Sequence, residues 1–468
     1  MTATPLSPPA RPPGPPPRWW GLPLLRAMRA DYLGFTANLQ RQHGDISFMR
    51  LGAEHAYDLF TPDLVRAVLV DEADHLVRWQ RGIEVFEQVF GQSVLVTEGD
   101  TWQRQRRMLQ AGFTPRRVAG YAALMVAAAS QALDAALPTG TVQAQVDMDT
   151  LFTHLAMDVI LRTLFSAQAS AEAADAADAV QRLSESAMRQ MFWPVTLPDW
   201  LPLPGKAVKR RSIRLLRDLI GSHIAARRQA GPGAPQDDLL AMLLGLRDDD
   251  GQALSEAEVF DQCMVTFQAG HETTATALLW WSRLMADHPE AAARAQAEAD
   301  EVLAGRAPRA DDVAALPWLA ATLKEAMRLY PPVAAVFTRR AKQDITVGGW
   351  TLPRGALIRI TPWVLQRDAR SFEEPLQFRP ERFMPGAPPP PRGAWMPFGA
   401  GPRVCLGQHF AMLEMTLIAA LLLQRYTLAL PAGTAPAEAV LNVTLRPRER
   451  LQLQLRRRAL MAGTVPVL

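Results

Sequence analysis

Two cysteines stand in opposite settings. Cys263 lies in an apolar, helix-patterned stretch and reads as a small core residue. Cys405 ends the run Phe398-Gly-Ala-Gly-Pro-Arg-Val-Cys405, with Leu406-Gly407 and an apolar helix pattern after it. Glycines at 399, 401 and 407 let the backbone turn tightly and come close to a flat ligand. A cysteine near a helix start meets free backbone N–H groups, here those of Leu406 and Gly407, and the positive end of the helix dipole. Both favour thiolate over thiol. Three other readings compete. A phosphate cradle needs a following Lys-Ser/Thr or the G-x-G-x-x-G spacing, and the loop has neither. A thiolate nucleophile needs a histidine base, and none is evident. A structural buried cysteine is the third.

A second group is Ala269-Gly-His-Glu-Thr-Thr274. Glu272 and Thr273 fall in an apolar helix pattern, where an acid and a hydroxyl are costly unless paired, hydrated or at work. A glycine and a hydroxyl can also open the helical hydrogen-bond ladder locally. His271-Glu272 begins an H-E-x-x-H zinc pattern, but position 275 is Ala. Glu325 and Arg328 are i and i+3, and Trp102 and Arg106 are i and i+4, so each pair shares a helix face. Taken alone, the first is an ordinary ion pair and the second a core-plus-solvent face.

The elements that position these residues follow from pattern. Residues 45–60 read as a hairpin, two apolar runs around a Gly-containing turn. From Pro62 to about Leu303 the pattern is mostly helical, with breakers at Pro194–Gly205, Gly231–Pro235 and Asp248–Gly251. Ser255–His288 reads as one long helix opened by a Ser255/Glu258 capping box, and its apolar surround places it at the centre. A helix over Trp318–Tyr330 stops at Pro331-Pro332. Residues 345–361 are β-prone, 362–404 are loop-rich, a last helix follows Cys405, and 441–455 alternate like a terminal hairpin. The expected fold is mainly α with a small β portion, as a single large domain. Residues 1–30 are expected to be a proline-rich N-terminal tail.

Composition narrows the function. The 468 residues carry a net charge of +3, with Arg and Asp/Glu interspersed, which gives no support to a nucleic-acid partner. The N-terminus has no apolar signal core and no long apolar span, so no transmembrane segment and a cytoplasmic location are expected. Two cysteines do not make a secreted disulfide scaffold.

The string from Phe398 to Gly407 resembles the haem loop of cytochromes P450, Phe-Gly-x-Gly-x-Arg-x-Cys-x-Gly, at every fixed position. The resemblance extends from about residue 30 to the end. It implies the P450 fold over residues 31–468. It also implies haem b (iron protoporphyrin IX) held between the central long helix and the helix after Cys405, with Cys405 as iron ligand. Leu-Lys-Glu325-Ala-Met-Arg328-Leu-Tyr-Pro-Pro and Phe378-Arg-Pro-Glu-Arg382-Phe are similar to two further P450 motifs. They imply a buried Glu325–Arg328–Arg382 network that holds the haem loop. Ala269–Thr274 is similar to the oxygen-activation groove, where Glu272 and Thr273 would deliver protons. Trp102, Arg106, Arg403 and Arg339, with Arg340 one register away, match partners of the haem propionates, and Phe398 is a cofactor contact.

Pocket walls are implied in the 75–95 loop, near Phe192–Leu203, at Ala269, Val333, Val336 and Phe337, and near Leu441–Val443. All are largely apolar and suit a hydrophobic small-molecule substrate. The implied activity inserts one oxygen atom of O2 into such a substrate. No flavin or iron–sulfur pattern is present, so electrons are expected from a separate ferredoxin or flavodoxin with its reductase. The protein is expected to be a monomer. A peroxide-driven haem enzyme and a haem sensor are the alternatives; the intact Glu272–Thr273 pair argues against both. Leu365-Gln-Arg-Asp368 departs from the P450 family's frequent Leu-His-Arg-Asp, with no effect on chemistry expected.

Overall fold

The computed structural model describes residues 11–168, 171–191, 201, 205–231 and 237–458. Helices make up most of it. The strands are β1 (Ile46–Leu51), β2 (Glu54–Leu59), β3 (Leu76–Arg78), β4 (Gln143–Asp147), β5 (Arg339–Ala341), β6 (Ile345–Val347), β7 (Trp350–Leu352), β8 (Leu357–Ile360), β9 (Tyr426–Ala429), β10 (Ala439–Leu441), β11 (Leu445–Pro447) and β12 (Gln452–Arg457). The mainly α reading with a small β portion therefore holds.

The expected hairpin is β1–β2, with Ile46 opposite Leu59 and Leu51 opposite Glu54. It is one end of a five-stranded sheet, β1-β2-β8-β5-β3. The β2–β8 pairing is parallel and β3–β5 antiparallel, which sets Arg78 directly opposite Arg339. The expected hairpin over 441–455 is only half right. β10 and β11 pair, Leu441 opposite Leu445, but β12 leaves them and joins β4 and β9. Its Leu453 and Leu455 alternate into the core, a period-2 pattern that shows a strand but not its distant partner.

The central helix runs Glu256–Asp287, and Ser255 and Glu258 form the capping box in both directions. It is buried on nearly all sides. A Cβ on Gly270 would sit 2.9 Å from Ile160 Cδ1, so glycine there lets the helix Met148–Phe165 pack tightly against it. Trp280 Nε1 donates to Leu445 O at 2.7 Å and Trp281 Nε1 to Thr322 Oγ1 at 3.0 Å. These bonds fix the helix against the β10–β11 turn and the helix Pro317–Leu329. The ladder does not open at Gly270–Thr274, where the helix is continuous. Thr273 Oγ1 instead donates back to Ala269 O at 2.8 Å.

The N-terminal expectation needs correction. Residues 11–30 are not a free tail. Phe48 N–H donates to Pro13 O at 2.9 Å and Gly52 N–H to Trp20 O at 2.7 Å. Leu22–Ala30 is a helix whose Met28 is buried against Arg359. Prolines lack the N–H donor but keep a carbonyl, so a proline-rich segment can still line a strand edge as acceptor. Pro115–Ala136 is long and apolar enough to cross a membrane by length and composition. It buries Ala122, Met125, Ala129 and Leu133 in the core of this fold.

Candidate functional site

Cys405 sits one turn before the helix Gln408–Arg425. Its backbone N–H donates to Phe398 O at 2.9 Å, closing the loop on itself. Gly401, at φ 71°, carries the closest approach: a Cβ there would lie 1.9 Å from Leu69 O. No other residue fits. The thiol is exposed, yet protein surrounds it enough to push its pKa up. The Gly407 N–H and the Arg106 guanidinium pull the pKa back down. These are the amide donor and positive field that favour thiolate.

Beside the loop lies a cluster of guanidinium groups. Arg78 Nε is 2.7 Å from Glu98 Oε1, and Arg403 pairs with the same carboxylate through Oε2. Both also donate to Thr97 O, at 2.5 and 3.1 Å. Arg339 faces Arg78 across β3–β5 and donates to Phe337 O. Three cations thus share one anion. Burial and repulsion from Arg78 push Arg403 down to about 9 and Arg339 down to about 10. Arg403 stacks over the Trp102 ring at 4.0 Å, and Arg106 Nη2 donates to Val404 O at 2.8 Å. Arg340 turns to the other face of the sheet and pairs with Glu54 at 2.6 Å. The sequence reading missed Arg78 and Glu98. Arg78 could have been found only by knowing that β3 pairs with β5.

Glu272 and Thr273 occupy different sides of the central helix. Thr273 is half-exposed and Ala269, one turn earlier, is exposed, although this stretch of helix is otherwise mostly buried. They therefore stand on a side of the helix that the described residues leave open, the candidate cleft. Glu272 is buried and accepts from Ser184 and Thr444. His271 is buried with Nδ1 2.8 Å from Phe267 O, and burial pushes its pKa down to about 4, so it is neutral. The next residue, Thr274, donates to Glu414 on the helix that follows Cys405. The central helix and the Cys405 helix are thereby tied at the level of the cleft. Glu414 is fully buried, its Oε1 has no partner among the described residues, and burial pushes its pKa well up.

Glu325 and Arg328 form a fully buried bidentate pair at 2.7 and 2.8 Å. Arg328 spends its other N–H groups on the carbonyls of Gln366, Pro375 and Gln377 at 2.7–3.0 Å. Arg382 Nε reaches Glu325 Oε1 at 3.4 Å, and the Arg379 backbone N–H reaches it at 2.9 Å. Gln366, where the sequence departs from the P450 family pattern, is fully buried. Its Nε2 donates to Met327 O and Arg328 O, both at 2.9 Å, and its Oε1 accepts from Met396 N–H at 2.8 Å. The amide thus ties the end of the Pro317–Leu329 helix to the segment entering the cysteine loop.

Phe398 packs edge-on to Trp395 at 6.4 Å. Val333, Val336, Phe337 and Leu441 are all half-buried. Phe337 meets Phe86 edge-to-face at 5.0 Å, and Arg78 lies 5.5 Å from its ring. Phe86 belongs to the helix Gln80–Phe90, inside the expected 75–95 wall. Above it, Arg81 donates to Gln190 O at 2.8 Å, joining that helix to Ala171–Met191. Of the expected wall near Phe192–Leu203, residues 192–200, 202 and 203 lie outside the described residues.

Comparison with known proteins agrees with this arrangement. The cytochrome P450 family profile matches residues 12–455. Cyclooctatin synthase of Streptomyces melanosporofaciens is 34% identical over 92% of this chain and 92% of its own length. Cyclooctat-9-en-7-ol 5-monooxygenase of the same organism is 33% identical over 91% and 94%. Pentalenene oxygenase of Streptomyces avermitilis is 32% identical over 88% and 90%. With a cysteine loop, a cationic cluster and an acid–alcohol helix gathered by this fold, the chain belongs to the cytochrome P450 family and is a haem monooxygenase.

Proposed function

We propose that this P450 hydroxylates or epoxidises a cyclic terpene, with Cys405 as the thiolate that would hold haem b. Terpene oxygenation is the chemistry of its relatives pentalenene oxygenase and cyclooctat-9-en-7-ol 5-monooxygenase. When bound, the haem supplies an iron centre whose thiolate ligand favours O–O cleavage, a property stated for P450s generally. The residues present fit that group. Arg78, Arg339 and Arg403 share a single carboxylate, so two further anions would balance them, and haem carries two propionates. This cluster beside a sulfur that meets Gly407 N–H is the observation that carries the proposal.

Arg78, Arg106, Arg339 and Arg403 would hold the propionates, with Trp102 braced beneath Arg403. Phe398 would pack against the cofactor on the cysteine side. Thr273, facing the cleft, would donate a proton there, resupplied through Glu272. Glu325, Arg328 and Arg382 would hold the loop rather than act on substrate. Ala269, Val333, Val336, Phe337 and Leu441 would shape an apolar pocket, to which Phe86 is added. A separate ferredoxin or flavodoxin with its reductase would supply electrons to a cytoplasmic monomer.

The test is a ligand screen read by the Soret shift of the purified holoprotein. Cyclic sesquiterpenes and diterpenes, and their alcohols, should shift it at lower concentration than fatty acids do. Tight fatty-acid binding with no terpene response would contradict the substrate class.

A further inference from the structure

The carboxylate of Glu272 is gripped by two hydroxyls from elements far away in the chain. Ser184 Oγ lies 3.2 Å from Oε1 and 3.1 Å from Oε2. Thr444 Oγ1 donates to Oε1 at 2.9 Å. Ser184 belongs to the helix Ala171–Met191, and Thr444 to the turn between β10 and β11. All three side chains are buried, at 8% exposure for Ser184 and Glu272 and 1% for Thr444. The carboxylate is thus the point where three elements meet.

The nearby charges do not compete for it. His271 is neutral for the reason given above. Arg446 on β11 pairs with Asp149 at 2.8 Å, and Arg189 pairs with Glu185 on the outer side of Ala171–Met191. Glu272 forms no ion pair among the described residues. A cationic partner would lock the carboxylate as an ion pair, whose separation inside a protein is costly. Hydroxyl donors hold its direction while leaving it able to take and return a proton, because a hydroxyl is both donor and acceptor.

We propose that Ser184 and Thr444 are positioning residues for Glu272. Together they set the orientation from which its carboxyl passes protons to the cleft. The proposal rests on the reading of Glu272 as the proton-relay acid.

The test uses the full-length holoenzyme with a reconstituted reductase. Variants are Ser184→Ala, Thr444→Val and the double, with Ser184→Thr and Thr444→Ser as conservative partners and Glu272→Gln as reference. The first readout does not depend on turnover: the infrared carboxylate stretch of Glu272 in substrate-free protein, assigned by difference from Glu272→Gln. It should move in the double variant and stay near the parent in the two conservative ones. The second readout is product formed per electron pair. It should fall at least about tenfold in the double variant, since each of the two hydroxyl donors removed is worth about that ratio, with the lost electrons appearing as hydrogen peroxide. Ser184→Thr and Thr444→Ser should restore it. An unmoved band with unchanged coupling in the double variant, while Glu272→Gln uncouples, would overturn the positioning role and leave the acid standing. Full coupling in Glu272→Gln would overturn the acid, and this proposal with it.

Discussion

Cys405 is the residue on which everything converges, but its neighbours decide what it can do. Gly401 has no substitute because Leu69 O lies where a Cβ would go. Arg78, Arg339 and Arg403 are buried close together at an energetic cost, visible in Arg403 and Arg339, whose pKa burial lowers most and repulsion from Arg78 lowers further. That cost makes sense if an anion relieves it. Arg339→Ala should therefore release haem to an apomyoglobin acceptor about tenfold faster, the loss expected for one charge-assisted bond. Arg340→Ala, which breaks only the Glu54 contact, should release it at the parent rate. Equal rates for the two variants would mean that the register inferred from β3–β5 does not matter to the cofactor. Motif spacing marks Cys405, Glu272, Thr273, Arg106 and Arg403 in the sequence as the residues this reading rests on. Arg78, Ser184 and Thr444 were not legible there. Each is an unremarkable residue locally and gains its place only through pairing or packing across the fold.

The elements show the same division. Ser255 and Glu258 announce the central helix, since a capping box is a local signal. The β12 strand is visible as alternation, but its partners lie hundreds of residues upstream, in β4, or beyond the intervening β10–β11 pair, in β9. Gln366, a departure with no effect on chemistry expected, bridges the Pro317–Leu329 helix to Met396. Two predictions belong to these contacts. Arg328→Ala takes from the buried Glu325 its bidentate partner and leaves it only the Arg379 N–H and the 3.4 Å contact of Arg382, so it should cost about 3–5 kcal/mol in denaturant unfolding. Arg382→Ala, at 3.4 Å and more exposed, should cost clearly less. The reverse order would show that the meander, not the helix pair, carries the network.

Glu414 gives the second prediction. Its folded pKa is raised by burial above the ordinary value of 4.5. Its favourable contribution is therefore complete below that value and is lost as pH rises through the folded pKa. Glu414→Gln removes the titration. Its Tm relative to the parent should rise as the pH climbs from the ordinary value of 4.5 toward the raised folded pKa. A constant difference over that range would show that Glu414 does not titrate as its burial implies.

At the scale of the whole molecule, the central helix, the Cys405 helix and the small sheet are separate in sequence and meet at one cleft. The central helix brings Ala269 and Thr273, the Cys405 helix brings the sulfur, and β3 and β5 bring Arg78 and Arg339. The N-terminal segment, expected as tail, is part of this body through Pro13, Trp20 and Met28. Local pattern reads a proline-rich stretch as free chain because it cannot see the strand edge that its carbonyls meet. The assembly makes one claim that outweighs the rest: a thiolate from Cys405 ligates haem iron. The reduced, carbon monoxide-bound absorption spectrum tests it most directly. The parent should show the red-shifted thiolate-type Soret band, and Cys405→Ser and Cys405→His should lose it while haem is still bound. A thiolate-type band that persists in either variant would contradict the account.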